Sequence, residues 1–221
     1  MFEKQLIQYL YIDIVEFSKP IRTAENRLKI KMNLNEIVFK AIEKIPYNKR
    51  IFSSCGDGVC IGLIDSLSLE EDILLQSAIQ ILKDIQSYNS TCSDLKDQFN
   101  IRIGINEDED ELLIDLSGYI NFTGNGVIFA RRIMDIADEK QILIGENTHN
   151  RLTSKSKIKY KYTEMKCPVK HHDEGITIYQ YQGIEGEDVT SFLDTKQPKL
   201  IDIQKISTYE KEYLIVNHFY N

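Results

Sequence analysis

Tyr11-Ile12-Asp13-Ile14-Val15-Glu16-Phe17-Ser18 and, about forty residues on, Ser53-Ser54-Cys55-Gly56-Asp57-Gly58-Val59-Cys60-Ile61-Gly62 are the segments on which the fold turns. Each sets one carboxylate in an apolar, β-rich run. Leu10, Ile12 and Ile14 alternate with Tyr11, Asp13 and Val15, the period of a strand. Asp57 lies between two glycines, and Asp-Gly is a strong hairpin signal, so residues 50–64 read as a hairpin with its turn at Gly56-Asp57-Gly58. Two carboxylates near strand ends can share a divalent cation, because hard ions take oxygen ligands.

Working outward, the first strand covers 5–17 and is broken at Ser18-Lys19-Pro20. A helix over roughly 22–45 follows, with Leu34, Ile37, Val38, Ala41, Ile42 and Ile45 on one face and Pro46 ending it. Beyond the hairpin, Ser68-Leu69-Glu70-Glu71 reads as a capping box opening a second helix, with Leu75, Ala78, Leu82 and Ile85 as its stripe. Asn89 to Gln98 is a polar loop, and Ile101-Arg102-Ile103-Gly104-Ile105 alternates as a strand. The acidic run Glu107–Glu111 reads as a solvated turn, since its spacing is not that of an EF-hand, with Leu112–Leu116 returning as a strand. Gly124-Asn125-Gly126 opens a third helix through Ala137, with Val127, Ala130, Met134 and Ala137 inward. Gln141–Ile144 reads as a short buried strand, and 158–163 with 176–182 as a final pair. Strand, helix, two strands, helix, strand is the order of an α+β, ferredoxin-like split βαβ sandwich, with helices on one face of an antiparallel sheet. The domain spans 1–183; residues 184–221 form a C-terminal extension with a short strand at Tyr213–Val216.

The 221 residues suffice for one sizeable core. Apolar content of 42% and charged content of 28% are those of a globular protein, and a net charge of −7 argues against a nucleic-acid partner. No apolar run is long enough to span a membrane, and Met1-Phe2-Glu3-Lys4 lacks the form of a signal peptide. Cys55, Cys60, Cys92 and Cys167 show no CxxC spacing, which suits a reducing cytoplasm. Cys167, His171 and His172 supply three zinc-type ligands but no fourth, so a polar loop is the plainer reading. Tyr160, Tyr162, Tyr179 and Tyr181 read as strand packing.

In this order the motifs resemble the catalytic domain of class III nucleotidyl cyclases over roughly 8–182. Asp13–Ser18 resembles the first metal motif and Gly56-Asp57-Gly58 the second; Arg102–Ile105 is similar to the central strand. Gly124-Asn125-Gly126-Val127-Ile128-Phe129-Ala130-Arg131-Arg132-Ile133 resembles the helix that carries the catalytic arginine. The resemblance implies cyclisation of a nucleoside triphosphate with loss of pyrophosphate, assisted by two divalent ions (Mn2+ or Mg2+) about 4 Å apart. It implies that Asp13 and Asp57 bridge the ions and that the backbone carbonyl of Ile14 adds a ligand. Amides near Phe17 and Ser18, at the start of the first helix, would hold the β- and γ-phosphates. Arg132 would stabilise charge growing on the α-phosphoryl group, and Lys170, with Lys166 competing, would be the late phosphate-binding lysine. The family works as a head-to-tail dimer, and one copy of each motif here implies a homodimer with two sites at its interface.

Base choice is where the sequence departs. The family's selector four residues before the second aspartate is lysine for adenine or glutamate for guanine, and here it is Ser53. Its partner, three residues before the helix-opening glycine, is Asn121 rather than aspartate or cysteine. Short neutral groups that both donate and accept can read a pyrimidine edge. The chain thereby resembles the stand-alone pyrimidine cyclases of bacterial Pycsar anti-phage defence, which implies UTP, or CTP, as substrate. Ile128 stands where the family has a ribose-orienting asparagine, and Glu16 replaces a small residue beside the phosphate loop, so its charge is expected to point outward. The alternatives are a purine cyclase with unusual selectors and a degenerate domain that binds nucleotide without turnover.

Overall fold

A computed structural model describes residues 4–66, 69–169 and 172–199. Its elements are β1 (Lys4–Ile14), α1 (Ala24–Ala41), β2 (Arg50–Cys55), β3 (Gly58–Leu63), α2 (Ile73–Thr91), β4 (Ile101–Ile114), β5 (Ile120–Thr123), α3 (Asn125–Ile136), β6 (Ile142–Gly145), α4 (Glu146–Lys155), β7 (Tyr160–Val169) and β8 (His172–Ile184). The strands form one sheet in the order β2-β3-β1-β4-β6-β8-β7, and β5 pairs with the distal half of β4. β4 and β6 run parallel, whereas the other pairs are antiparallel. Among the described residues no helix is long and apolar enough to cross a membrane.

The α+β ferredoxin-like plan stands, but the sheet is mixed rather than antiparallel, since β6 runs parallel to β4, and the helices are not all on one face. Leu10, Ile12 and Ile14 of β1 face a core built with α1, α2 and Leu152 of α4. The alternate residues Ile7, Tyr9 and Tyr11 face a second core with Ala130 and Met134 of α3 and Phe122 of β5. β1 is therefore the hidden centre of the molecule, and burying each of its large apolar side chains contributes about 1.5–3 kcal/mol.

α1 starts at Ala24, behind a capping box in which Asn26 N–H donates to Thr23 Oγ1 (3.2 Å) and Thr23 N–H to Asn26 Oδ1 (3.0 Å). α2 keeps its expected stripe, with Leu75, Ala78, Leu82 and Ile85 all buried. It opens at Asp72, whose carboxylate accepts from Tyr160 and Ser156 hydroxyls at 2.8 Å each. Ser68 of the expected capping box lies outside the described residues.

The acidic run is the main correction to the fold. Glu107–Glu111 is not a turn but the middle of β4, pairing residue by residue with Lys4–Gln8 of β1. Glu107 and Asp110 point inward and are buried, and each has partners. Arg151 Nε donates to Glu107 Oε2 at 2.6 Å. Asp110 accepts Tyr9 O–H at 2.7 Å and the α3 amides of Gly126 (3.2 Å) and Val127 (3.1 Å). It is an N-terminal cap supplied from a neighbouring strand. Gly124 permits it: at φ 149° a Cβ would lie 1.9 Å from Asp110 Oδ1.

Two elements absent from the sequence reading are β5 and α4. The first part of the extension, for its part, packs on the domain. Val189, Phe192 and Leu193 are buried in the α1–α2 core, and Gln180 Nε2 donates to the carbonyls of Asp194 (3.1 Å) and Lys196 (2.8 Å). The expected strand at 213–216 lies outside the described residues. Tyr160 and Tyr162 each meet Tyr181 edge to face, and His149 stacks on Tyr179 at 3.5 Å between ring centroids.

Candidate active site

Asp13 is the penultimate residue of β1 and stands opposite Arg102 of β4 in the antiparallel register. Arg102 Nε donates to Asp13 Oδ2 at 2.9 Å. The same guanidinium reaches the last turn of α3, donating to the Asp135 carbonyl (3.1 Å) and to Asp135 Oδ1 (3.4 Å). Arg131 lies 3.9 Å from the other Asp135 oxygen. Burial pushes the Asp13 carboxyl above the usual carboxylate value. Arg102 opposes that shift, and the charge of Asp57 adds to it. The Asp57 turn abuts this end of β1, where Ile12 pairs with Val59.

The turn is held against β1 by two devices. Gly58 touches the main chain of β1 so closely that a Cβ there would sit 2.4 Å from the Ile12 carbonyl oxygen. From α1, Lys31 Nζ donates to the carbonyls of Asp57 (3.0 Å) and Gly58 (2.6 Å). Sequence reasoning missed both Arg102 and Lys31 as parts of this corner. Arg102 stood in a quoted strand, but only the register with β1 sets it on Asp13.

Ile14 has its side chain buried in the α1–α2 core, which leaves only its main chain to meet a ligand. Phe17 and Ser18 lie in a turn over 15–18, six and five residues before the Thr23 cap, so they are not at the start of α1 as the sequence suggested. Phe17 packs partly on the core, and Ser18 is exposed. Arg22 holds the turn by donating to the carbonyls of Glu16 (2.8 Å) and Gln98 (2.9 Å). Glu16, at φ 54°, turns outward to pair with Lys19, as expected.

Ser53, half-buried, is on β2, the edge strand, and β5 with Asn121 runs against β2. Asn121 is fixed at both ends of its amide: Oδ1 accepts Phe122 N–H (2.9 Å), and Nδ2 donates to Asp115 Oδ2 (3.2 Å). Lys170 and His171 lie outside the described residues. Lys166 lines a cavity of about 700 Å³ together with Phe129, Ile133, Gly145 and Thr177. Cys167 is buried under α3, and no group of three or more His, Cys, Asp or Glu that could hold a metal is assembled among the described residues.

No protein-family model matches the chain, and no curated protein matches it. Solved structures do. The guanylyl cyclase Cya2 superposes with a TM-score of 0.71 at 16% identity, over 87% of this chain and 99% of that one. The adenylyl cyclase CyaB from P. aeruginosa gives 0.65 at 18% identity, over 85% and 99%. The catalytic core of a rhodopsin-guanylyl cyclase with converted specificity, in complex with ATPalphaS, gives 0.66 at 15%, over 82% and 98%. The chain has the class III nucleotidyl cyclase fold. At these identities the likeness is one of fold, so the chemistry rests on the residues.

Within this cyclase fold Arg132 and the acid pair sit on different flanks of α3. Arg131 and Asp135 share the flank that reaches Arg102 and Asp13. Arg132 stacks on Phe129, 5.4 Å from its ring centroid, and Phe129 faces the cavity over β6 and β8. Ile128, one turn before Arg132, is 47% exposed.

The donor chemistry of the acid corner fits a hard divalent ion. Asp13 and Asp57 are oxygen donors on adjoining strand ends, the ligand type a hard ion takes.

Proposed function

We propose that this chain is a pyrimidine nucleotide cyclase that converts UTP to 3′,5′-cyclic UMP and pyrophosphate as a homodimer. In this reading it is cytoplasmic and makes a second messenger for anti-phage defence of the Pycsar type. The observation that carries the reading is the meeting of Asp13 and Asp57 at one strand end of a cyclase fold, with neutral Ser53 and Asn121 where purine selectors would stand.

Divalent metal (Mn2+ or Mg2+) held by Asp13, Asp57 and the Ile14 carbonyl would supply Lewis acidity to the 3′-hydroxyl and the departing pyrophosphate. The residues of the chain do the rest. The turn over 15–18 presents Phe17 and Ser18 main chain to the β- and γ-phosphates. Arg132 of the second subunit neutralises charge growing at the α-phosphorus, where a preorganised cation acts most strongly. Lys170, or Lys166 beside the same cavity, steadies the triphosphate. Asn121 retains one N–H after bonding Asp115, a donor suited to a uracil O4. This favours UTP over CTP.

The protein is incubated with each of the four ribonucleoside triphosphates and Mn2+. UTP is consumed with pyrophosphate release, and Asp57→Ala abolishes it. Full activity of Asp57→Ala, or consumption of a purine alone, overturns the proposal. Exposed Ile128 in the ribose position favours a second reading, binding without turnover. That reading gains if no triphosphate is consumed while one still raises Tm.

A further inference from the structure

Asp13 does not stand open as a free carboxylate. Its Oδ2 is taken by Arg102 Nε at 2.9 Å, and the guanidinium is anchored on Asp135 at 3.1 and 3.4 Å. Arg131 approaches Asp135 at 3.9 Å. On the hairpin side, Lys31 Nζ lies 3.0 Å from the Asp57 carbonyl oxygen and 2.6 Å from that of Gly58. The carboxylates of Asp13, Asp57 and Asp135 are thus matched by the cations Arg102, Arg131 and Lys31. The central partners are largely withdrawn from water: side-chain exposure is 22% for Arg102, 16% for Asp13 and 18% for Asp135. In such surroundings charges act on one another more strongly than at an open surface.

A divalent ion needs a surplus of negative charge, and these six groups together supply none. The missing charge is what a nucleoside triphosphate carries. We infer that Arg102 is a built-in counter-cation that keeps the acid pair from loading metal alone, so that divalent metal enters only together with a nucleoside triphosphate. The inference rests on reading Asp13 and Asp57 as metal ligands. It assigns Arg102 a positioning and ordering role: it holds Oδ2 of Asp13 and leaves Oδ1 for the ion. It also makes binding ordered, because free metal does not occupy the site ahead of substrate.

The test uses the full chain and Mn2+ alone, with free Mn2+ read by its paramagnetic resonance signal. Wild type takes up little Mn2+. Arg102→Gln, which keeps an N–H donor for Asp13 but removes the charge, binds Mn2+ at least about tenfold more tightly, a modest share of what one charge exerts at this range. Arg102→Lys keeps the charge and stays as weak as wild type. Adding Asp13→Asn to Arg102→Gln removes the gain. The double variant also controls for misfolding, because Mn2+ held by the exposed carboxylates and histidines of an unfolded chain would not depend on Asp13. Wild type binding Mn2+ alone as tightly as Arg102→Gln overturns the inference. A parallel titration with UTP present separates the two levels. If Asp13→Asn and Asp57→Asn leave Mn2+ retention with UTP unchanged, the metal-ligand reading falls. If they weaken it while Arg102→Gln gains nothing without nucleotide, only the role of Arg102 falls.

Discussion

Replacing Asp110 with alanine isolates the strand-supplied cap of α3. The carboxylate is 1% exposed and accepts three hydrogen bonds, from Tyr9 O–H at 2.7 Å, Val127 N–H at 3.1 Å and Gly126 N–H at 3.2 Å. Truncation leaves a phenol and two helix amides without it. A buried polar group that loses its partner costs about 1–3 kcal/mol. Loss of negative charge at a helix N-terminus adds about 0.3–1 kcal/mol, and more where the geometry is buried. These losses are not additive, because the freed amides relax together and a buried charge has also been removed. About 3–5 kcal/mol is the expected net loss, near the upper limit for a single substitution. Against a typical domain stability of about 5–15 kcal/mol, the variant would be close to marginal. Urea denaturation followed by circular dichroism measures it. Asp110→Asn, which keeps the shape but turns one acceptor into a donor, should lose about half as much. Tyr9→Phe should lose about 1 kcal/mol, the value of one hydrogen bond. An Asp110→Ala protein within about 1 kcal/mol of wild type would refute the cap as a stabilising device, since water would then have to serve the freed amides.

Three further outcomes are expected. Asp57→Ala and Arg132→Ala should each be inactive alone, and mixing them should restore part of the turnover, because a mixed dimer retains one site with both groups; no recovery on mixing would remove the head-to-tail arrangement. Arg151→Met leaves Glu107 buried without its 2.6 Å partner, and a lone buried charge typically destabilises by about 3–5 kcal/mol, readable as a drop in Tm. Lys29, with help from Asn26, holds the Asp97 carboxyl below the usual range. Its contribution is therefore full above the unfolded carboxylate value of about 3.9 and is lost as pH falls through the lower folded value. The stability gap between wild type and Asp97→Asn should be widest near neutrality and close on acidification, as urea midpoints across pH would record.

What could be read in the sequence was what is locally encoded. The Gly56-Asp57-Gly58 turn and the stripes of α1 and α2 follow from period and turn chemistry, and the turn packs on the end of β1 that carries Asp13. The acidic run was misread because its composition is that of a solvated turn, while its structure is set by residues far away in sequence. Tyr9 lies about a hundred positions before Asp110 and Arg151 some forty after Glu107. α4 left no apolar stripe to see, since Leu152 is its one buried large apolar residue. α1 starts within two residues of the expected 22 but ends at Ala41, four residues short of the expected 45, so Pro46 does not mark its end. Arg102 was visible as a strand residue, but only pairing partners show which side chain it meets.

The geometry of α3 also bears on why one copy of this chain would be insufficient. Successive helix residues are about 100° apart around the axis, so Arg131 and Arg132 look in different directions. Arg131 turns toward Asp135, which Arg102 ties to Asp13, so that flank belongs to the chain's own acid pair. Arg132 turns toward Phe129 and the cavity over β6 and β8. Arg132 thus makes its contact on another side of α3 from the contacts that lead to Asp13. A second copy presented head to tail suits that division, since each chain then gives its acid pair to one site and its Arg132 to the other. Ile128 on α3 and Ile114, Leu116, Tyr119 and Ile120 around the β4–β5 turn are exposed apolar groups, more than a scattering of single residues, and they supply surface that such a copy could cover. In the proposed dimer Arg102 would do more than balance charge: by bridging Asp13 and Asp135 it would tie the helix that serves one site to the aspartate that serves the other.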